Sequence, residues 1–474
     1  MIANEPPATR LTIHNVRQNI VGIEAQVPLL DGSHRTYVNF DNAASTPALR
    51  PVFDKVNEFM DWYSSVHRGT GFKSQVATHA YEQAHEIVCS FVGADPAAHA
   101  VIFGKNSTEA INKLARRLPL AAGDVVLTTL MEHHSNDLPW RAVAQVEHVN
   151  VDEQGALDEA HLETLLRRYA GRVRLVAITG ASNVTGAINP IHRIAEKAHA
   201  AGAEILADTA QLAPHRAVDM RSEDDPGHLD YLVLSAHKMY APYGAGALIG
   251  RRETFLQGAP EMVGGGTVDI VTVDKVWWAG LPDKEEAGSP NVVGGVALAQ
   301  ALLSLGEIGM EALAEHEARL TAYLLEKLAR IQGVRVYGIT DPARAAEKVG
   351  STPFAVEGMS HYLVAAVLSA EGGIGVRNGC FCAHPYLLRL LDVSPEGARA
   401  YQQEIHQGIR ANLPGLVRVS FGCYNNTAEV DWFIQMLEKV VRREYRGNYI
   451  QNRCDGAFWP EGFAPEITRY FTLQ

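Results

Sequence analysis

The sequence predicts an α/β fold: a largely parallel sheet covered by helices, followed by a smaller C-terminal α+β domain. Between Val101 and Ile249 short apolar runs alternate with helical stretches, the pattern of parallel strands whose sites lie at strand ends. After Asn291 the character changes to two long helices and then shorter strand–helix units, consistent with a second domain. At 474 residues the chain is long enough for two domains and a large core.

Composition narrows the class. Hydrophobic residues at 47% and charged residues at 20% are ordinary for a soluble globular protein. The net charge of −12 argues against a general nucleic-acid or anionic-membrane binder. Met1-Ile-Ala-Asn-Glu-Pro-Pro lacks a basic segment followed by an apolar one, so no secretory signal is expected. No uninterrupted apolar stretch is long enough to span a bilayer. Cys89, Cys380, Cys382, Cys423 and Cys454 are too few and too irregular for a disulfide framework and fit a reducing cytoplasm.

In chain order, Tyr37 to Asp41 reads as a short strand, and Asn42-Ala-Ala-Ser-Thr-Pro47 as a turn into a helix. Residues 64–71 form a polar loop, and a helix follows from Gln75 to Val92 with Cys89 on its apolar side. Strands are expected at 125–129, 173–178, 204–207, 231–234 and 245–249, with helices such as 107–118 and 192–201 separating most of them. Val292 to Gly306 and Gly309 to Ile331 read as helices, the second long enough to link two domains. The expected division is 1–38, an N-terminal segment packing with the small domain; 39–298, the large domain; and 299–474, the small C-terminal domain.

Chemistry-bearing residues recur where strands end. Ser107 and Thr108 open a helix, where free N–H groups and hydroxyls suit a phosphate or serve as a simple cap. His133 follows a strand, placed to stack on an aromatic ligand, to shuttle protons, or to sit in a polar loop. Asn183 follows another strand and can bond a ring oxygen or shape a turn. Asp208 ends an apolar strand, where an unpaired carboxylate is costly and a cationic ring nitrogen would stabilise it. Thirty residues on, Lys238 ends the next strand, and a desolvated lysine loses its proton and attacks an aldehyde. That separation allows one helix crossover, with neighbouring strand ends holding Asp208 and Lys238 on opposite sides of one ligand. Phosphate cup, stacking histidine, ring-nitrogen acid and Schiff-base lysine together describe a site for pyridoxal 5'-phosphate.

From Asn42-Ala-Ala through His67-Arg-Gly, Ser107-Thr-Glu, Glu132-His-His-Ser-Asn, Ser182-Asn-Val-Thr-Gly, Asp208-Thr-Ala-Gln, Ser235-Ala-His-Lys and Glu286-Ala-Gly-Ser-Pro-Asn291, the chain resembles fold type I pyridoxal phosphate enzymes of the class V aminotransferase superfamily. Arg377-Asn-Gly-Cys-Phe-Cys-Ala-His-Pro385 and Arg418-Val-Ser-Phe-Gly-Cys-Tyr-Asn-Asn-Thr427 extend the likeness, which is greatest to cysteine desulfurases and selenocysteine lyases. The resemblance implies a seven-stranded-type sheet, Lys238 as the cofactor-linking amine, Asp208 at the ring nitrogen and His133 stacked on the ring. It implies contacts of Gln211 and Asn183 with the ring oxygen or the substrate, and phosphate binding by Ser107, Thr108, Ser235 and His237. Ser289 of a dimer partner would complete the phosphate cup, Arg418 would clamp a substrate carboxylate, and Arg377 would support that pocket. Cys382 is the implied nucleophile, taking sulfur from L-cysteine as a persulfide for transfer to an acceptor, its thiolate favoured by Arg377 and His384.

Cys380, Cys382, His384 and Cys423 are spaced too closely for a structural zinc ribbon, and no metal is expected. Cys380 departs from the family habit and is expected to be inert. Residues 387–414 lengthen the stretch between Cys382 and Arg418 and are expected to add a helix over the pocket, while the tail after Tyr445 would cover the site or a dimer partner. The alternative reading keeps the cofactor and drops the nucleophile: an aminotransferase, epimerase or C–S lyase acting on a specialised amino acid.

Overall fold

The computed structural model describes residues 10–67 and 69–473; Arg68 of the His67-Arg-Gly stretch lies outside them. Seven strands form the central sheet: β1 (His99–Gly104), β2 (Val125–Thr129), β3 (Gln145–Val149), β4 (Val173–Thr179), β5 (Glu204–Asp208), β6 (Tyr231–Ser235) and β7 (Gly246–Arg251). Their order across the sheet is β1-β7-β6-β5-β4-β2-β3. Only β7 runs antiparallel to its neighbours. Strands covered on both faces favour apolar residues, and β2 and β6, buried throughout, open with the apolar runs Val125-Val-Leu127 and Tyr231-Leu-Val-Leu234 before ending in hydroxyl residues. β3 escaped the sequence reading because Gln-Val-Glu-His-Val mixes polar and apolar residues, as suits a partly exposed edge strand.

β5 and β6 are parallel neighbours, with Asp208 opposite Val233. The crossover joining them differs from the expected helix. Residues 209–230 hold turns and no helix, because Pro214, Pro226 and a run of charged residues interrupt any apolar face. The helix Val292–Ile308 is apolar nearly all round and is packed against Phe72–Phe91 and Arg50–Met60. It meets Met310–Leu328 at a 75° bend, and among the described residues no single helix is long and apolar enough to cross a membrane.

The second sheet has four antiparallel strands, β8 (Val334–Val336), β9 (Ser351–Val356), β10 (Arg377–Gly379) and β11 (Leu416–Ser420), ordered β8-β9-β11-β10. Helices His361–Gly372 and Thr427–Val441 pack with it over a separate core in which Phe40, Phe354, Phe421 and Phe433 meet edge to face. The N-terminal segment divides its packing. Leu11, Val16 and Ile20 enter the core of the large sheet, whereas Leu30 and Val38 bond to the backbone of Ala370 and Gly373.

The stretch 387–414 does contribute a helix, Pro395–His406, but none of its residues is buried and none of the stretch lines the cavity described below. Its apolar stripe is short, Ala398, Tyr401 and Ile405, and Ile405 is left exposed, so the helix stands on the surface. The C-terminal strands Tyr449–Gln451 and Phe458–Pro460 pair with each other and lie on helix His361–Gly372.

Candidate active site

Strand ends on one edge of the large sheet, and β10 and β11 of the small one, enclose a cavity of about 210 Å³. Ser107, Thr108, His133, Asn183, Asp208, Gln211, Ser235, His237, Lys238, Arg377, Cys382 and Arg418 all line it. Ser289 does not, and lies exposed in the loop after Glu286.

Asp208 is buried at the end of β5, and its Oδ1 accepts from the Ala210 N–H at 3.0 Å. Burial raises its pKa, against the pull of that N–H and of Lys238. Lys238 extends from the single turn after β6, with Nζ 3.4 Å from Gln211 Oε1. Its pKa is lowered by burial and by Arg418, and raised by Asp208, so the amine is easier to deprotonate than a surface lysine. Burial, then the charge on Lys238, holds His133 down to about 3 and His237 to about 4, so both rings are neutral near pH 7.

The phosphate-type residues form a hydroxyl chain that the sequence reading saw only in part. Thr108 Oγ1 lies 2.6 Å from Ser135 Oγ, which is 2.9 Å from His133 Nδ1. Ser135 also lines the cavity; it stands within Glu132-His-His-Ser-Asn136, where nothing in the sequence separates it from an ordinary loop serine. Asn106 caps the helix at Ser107 by accepting from the Glu109 N–H, leaving the first N–H groups of that helix free. Ser235 Oγ is buried with no hydrogen-bond partner among the described residues. An orphaned hydroxyl beside a helix start and a polar rim fits a phosphate-bearing cofactor, which would supply the missing acceptor.

Asn183 is differently engaged from the expectation: its Nδ2 donates to the Phe381 carbonyl at 2.7 Å, and its own carbonyl accepts from Arg418 Nη1 at 2.6 Å. Arg418 Nη2 donates to Asp41 Oδ1 at 3.0 Å, its guanidinium lies over the Phe381 ring, and its buried Nε has no partner among the described residues. Asp41, another residue the sequence reading passed over, also lies 3.7 Å from Arg377 Nη1. A buried cation held from two sides with one donor left over suits a carboxylate ligand.

Cys382 is exposed and free, and its carbonyl accepts from the His134 N–H at 2.8 Å. The expected positive field from His384 is not found. That ring stacks on His134, with centroids 5.0 Å apart, and burial lowers its pKa, so it is neutral near pH 7. Lys238, Arg377 and Arg418 are the cations that line the cavity with Cys382.

The aminotransferase class-V family matches residues 38–433. A probable cysteine desulfurase of Synechocystis sp. is 35% identical over 455 residues, covering 93% of this chain and 98% of the relative. The cysteine desulfurase of Haloferax volcanii is 32% identical, over 85% of this chain and 88% of its own length. The apo structure of a cysteine desulfurase from Thermococcus onnurineus superposes with a TM-score of 0.78 at 29% identity, covering 92% of this chain and 99% of that one. With that match spanning most of its length, the chain belongs to the aminotransferase class-V family, a pyridoxal-phosphate-dependent enzyme family.

Proposed function

We propose that this protein is a cysteine desulfurase, converting L-cysteine to L-alanine and leaving the sulfur as a persulfide on Cys382 for an acceptor. One observation carries the reading: a single cavity gathers Lys238, Asp208, His133, Arg418 and an exposed cysteine. The relatives named as cysteine desulfurases match at 32–35% identity over most of the chain.

Ser107, Thr108, Ser235 and His237 would hold the phosphate, Lys238 would be the amine for the cofactor aldehyde, Asp208 would stabilise its protonated ring nitrogen and His133 would lie against its ring. Pyridoxal phosphate, when bound, supplies the electron sink for the charge released at the substrate α-carbon. Arg418, with Arg377 at the rim, takes the substrate carboxylate. Lys238 would remove the α-proton, for which its lowered pKa suits it. The Cys382 thiolate attacks the substrate sulfur: an S–S bond forms, the C–S bond breaks, and its electron pair stays with the three-carbon product. The α-proton taken by Lys238 and the substrate's thiol proton, the latter relayed through His133, would complete alanine and the persulfide, so one cysteine and one thiol give one alanine and one persulfide.

The working unit is a homodimer in which Ser289 of a second copy completes the phosphate cup. In support, the hairpin of Val268–Val271 and Val276–Trp278 exposes Ile270, Val271, Val273 and Trp277, and the Gly288 N–H beside Ser289 donates to the Gly265 carbonyl that leads into it. The domain division at 38 and 298 and a cytoplasmic location belong to the same proposal, the latter supported by five unpaired cysteines.

Incubation with L-cysteine is expected to yield alanine and enzyme-bound persulfide in equal amounts at the first turnover. Cys382→Ser should stop both while keeping the yellow cofactor, and Lys238→Ala should lose the lysine-linked visible band. A keto acid as product, or alanine from Cys382→Ser at the native rate, would refute the assignment.

A further inference from the structure

A second convergence of side chains lies at the opposite ends of β5 and β6 from Asp208 and Lys238. His199 lies in the last turn of the helix Ile191–Ala200, while His228 and Asp230 immediately precede β6. The two rings stack with centroids 4.2 Å apart. His199 Nδ1 lies 2.8 Å from the Pro226 carbonyl and His228 Nδ1 2.7 Å from the Asp225 carbonyl. A carbonyl only accepts, so each Nδ1 carries its proton and the lone pair of a neutral ring is left on Nε2.

Both Nε2 atoms face one buried carboxylate. His199 Nε2 is 2.9 Å from Asp230 Oδ2, and His228 Nε2 is 3.6 Å from Oδ1. Without a cation, two neutral rings would aim lone pairs at a carboxylate, and two protonated rings would stack as like charges. A proton on His199 alone relieves one half and leaves the His228 lone pair facing Oδ1.

We propose that His199, His228 and Asp230 bind a divalent first-row transition cation of the zinc type. Their donor atoms lie within 4.8 Å of one another, and tetrahedral zinc with bonds of about 2.0–2.2 Å brings ligand atoms to roughly 3.4 Å. The carbonyls on the two Nδ1 atoms are the outer-shell partners that fix a metal-binding tautomer. Asp230 Oδ2 also accepts from the Ile205 N–H at 2.8 Å, which orients the carboxylate. Arg251 Nη1, 3.3 Å from Oδ1, competes for that oxygen, but Glu204 and Glu253 lie 3.8 and 3.4 Å from its guanidinium and can take it over. The imidazoles are 20% and 16% exposed, so a cation can enter and keep a water as fourth ligand. Some four residues of extended strand, about 13 Å, separate this end of β5 from Asp208, so the cation staples the sheet and takes no part in the chemistry.

The test is zinc content of the holoenzyme after its thiols are alkylated with iodoacetamide, which removes cysteine as a rival ligand. After dialysis against EDTA and then zinc chloride, one zinc per chain is expected in the native protein and none in His228→Gln, with zinc raising Tm only in the former. Equal zinc in the two proteins, or none in the native one, overturns the proposal. Cobalt(II) loading of the alkylated native protein decides the matter should the variant not fold. Visible cobalt bands of four-coordinate strength support the site, and their absence refutes it.

Discussion

Ser235 shows how one atom ties the local structure to a ligand. Its backbone ends β6, and its hydroxyl is buried beside the turn that carries His237 and Lys238, with no partner among the described residues. A buried unpaired hydroxyl costs stability in the free protein and returns it when a ligand oxygen arrives. Ser235→Ala should therefore act with opposite sign in two measurements. The cofactor-free protein should unfold at the same or slightly higher denaturant concentration. The dissociation constant for pyridoxal phosphate should rise about 5–30-fold, the equivalent of about 1–2 kcal/mol. Equilibrium dialysis checks this, and unchanged retention would show that the hydroxyl faces no phosphate.

The loop between β10 and the helix His384–Leu390 decides where the thiol points. Phe381 and Cys382 both have positive φ, at 54° and 56°, a conformation that side-chain-bearing residues hold only when their surroundings over-determine it. Here the restraints are three: Asn183 on the Phe381 carbonyl, His134 on the Cys382 carbonyl, and Arg418 over the Phe381 ring. Asn183→Ala removes the first without touching the thiol or Lys238. Turnover of L-cysteine is expected to fall by about 10–100-fold through misplacement of Cys382, with cofactor absorption retained. Single-turnover persulfide labelling measures it, and a native rate would show that the remaining two restraints suffice.

At the scale of the molecule, one carboxylate ties the helix Met310–Leu328 to the connection that follows β5. Glu317, on the helix Met310–Leu328, accepts from Arg216 at 2.6 Å and lies 2.7 Å from His215 Nδ1, both in the turn-rich connection after β5. Its pKa is lowered despite burial, because His215 and Arg216 stabilise the charged form. Replacement by alanine leaves the Arg216 charge unpaired in a largely buried place and should destabilise the protein by about 3–5 kcal/mol. The urea midpoint reports this, and a midpoint within experimental error of the native value would refute it.

Much of this architecture was open to reading in the sequence because its physical cause is local. β2, β5 and β6 announce themselves through short apolar runs of three or four residues, and Asp208 and Lys238 stand out because charged groups following such runs need partners. β3, with its polar edge pattern, and the helix-free crossover between β5 and β6 carried no such signal. Ser135, Asp41 and the competition for Asn183 were hidden for another reason: a hydrogen-bond partner is chosen by distance in space, and Asn183 finds its acceptor at Phe381, 198 positions away. The order of residues thus determined which chemistries the chain carries and at which strand ends. Only tertiary packing decided which donors are already satisfied and which, like Ser235 Oγ and Arg418 Nε, remain for a ligand, because burial and pairing are properties of the folded arrangement and not of the chain.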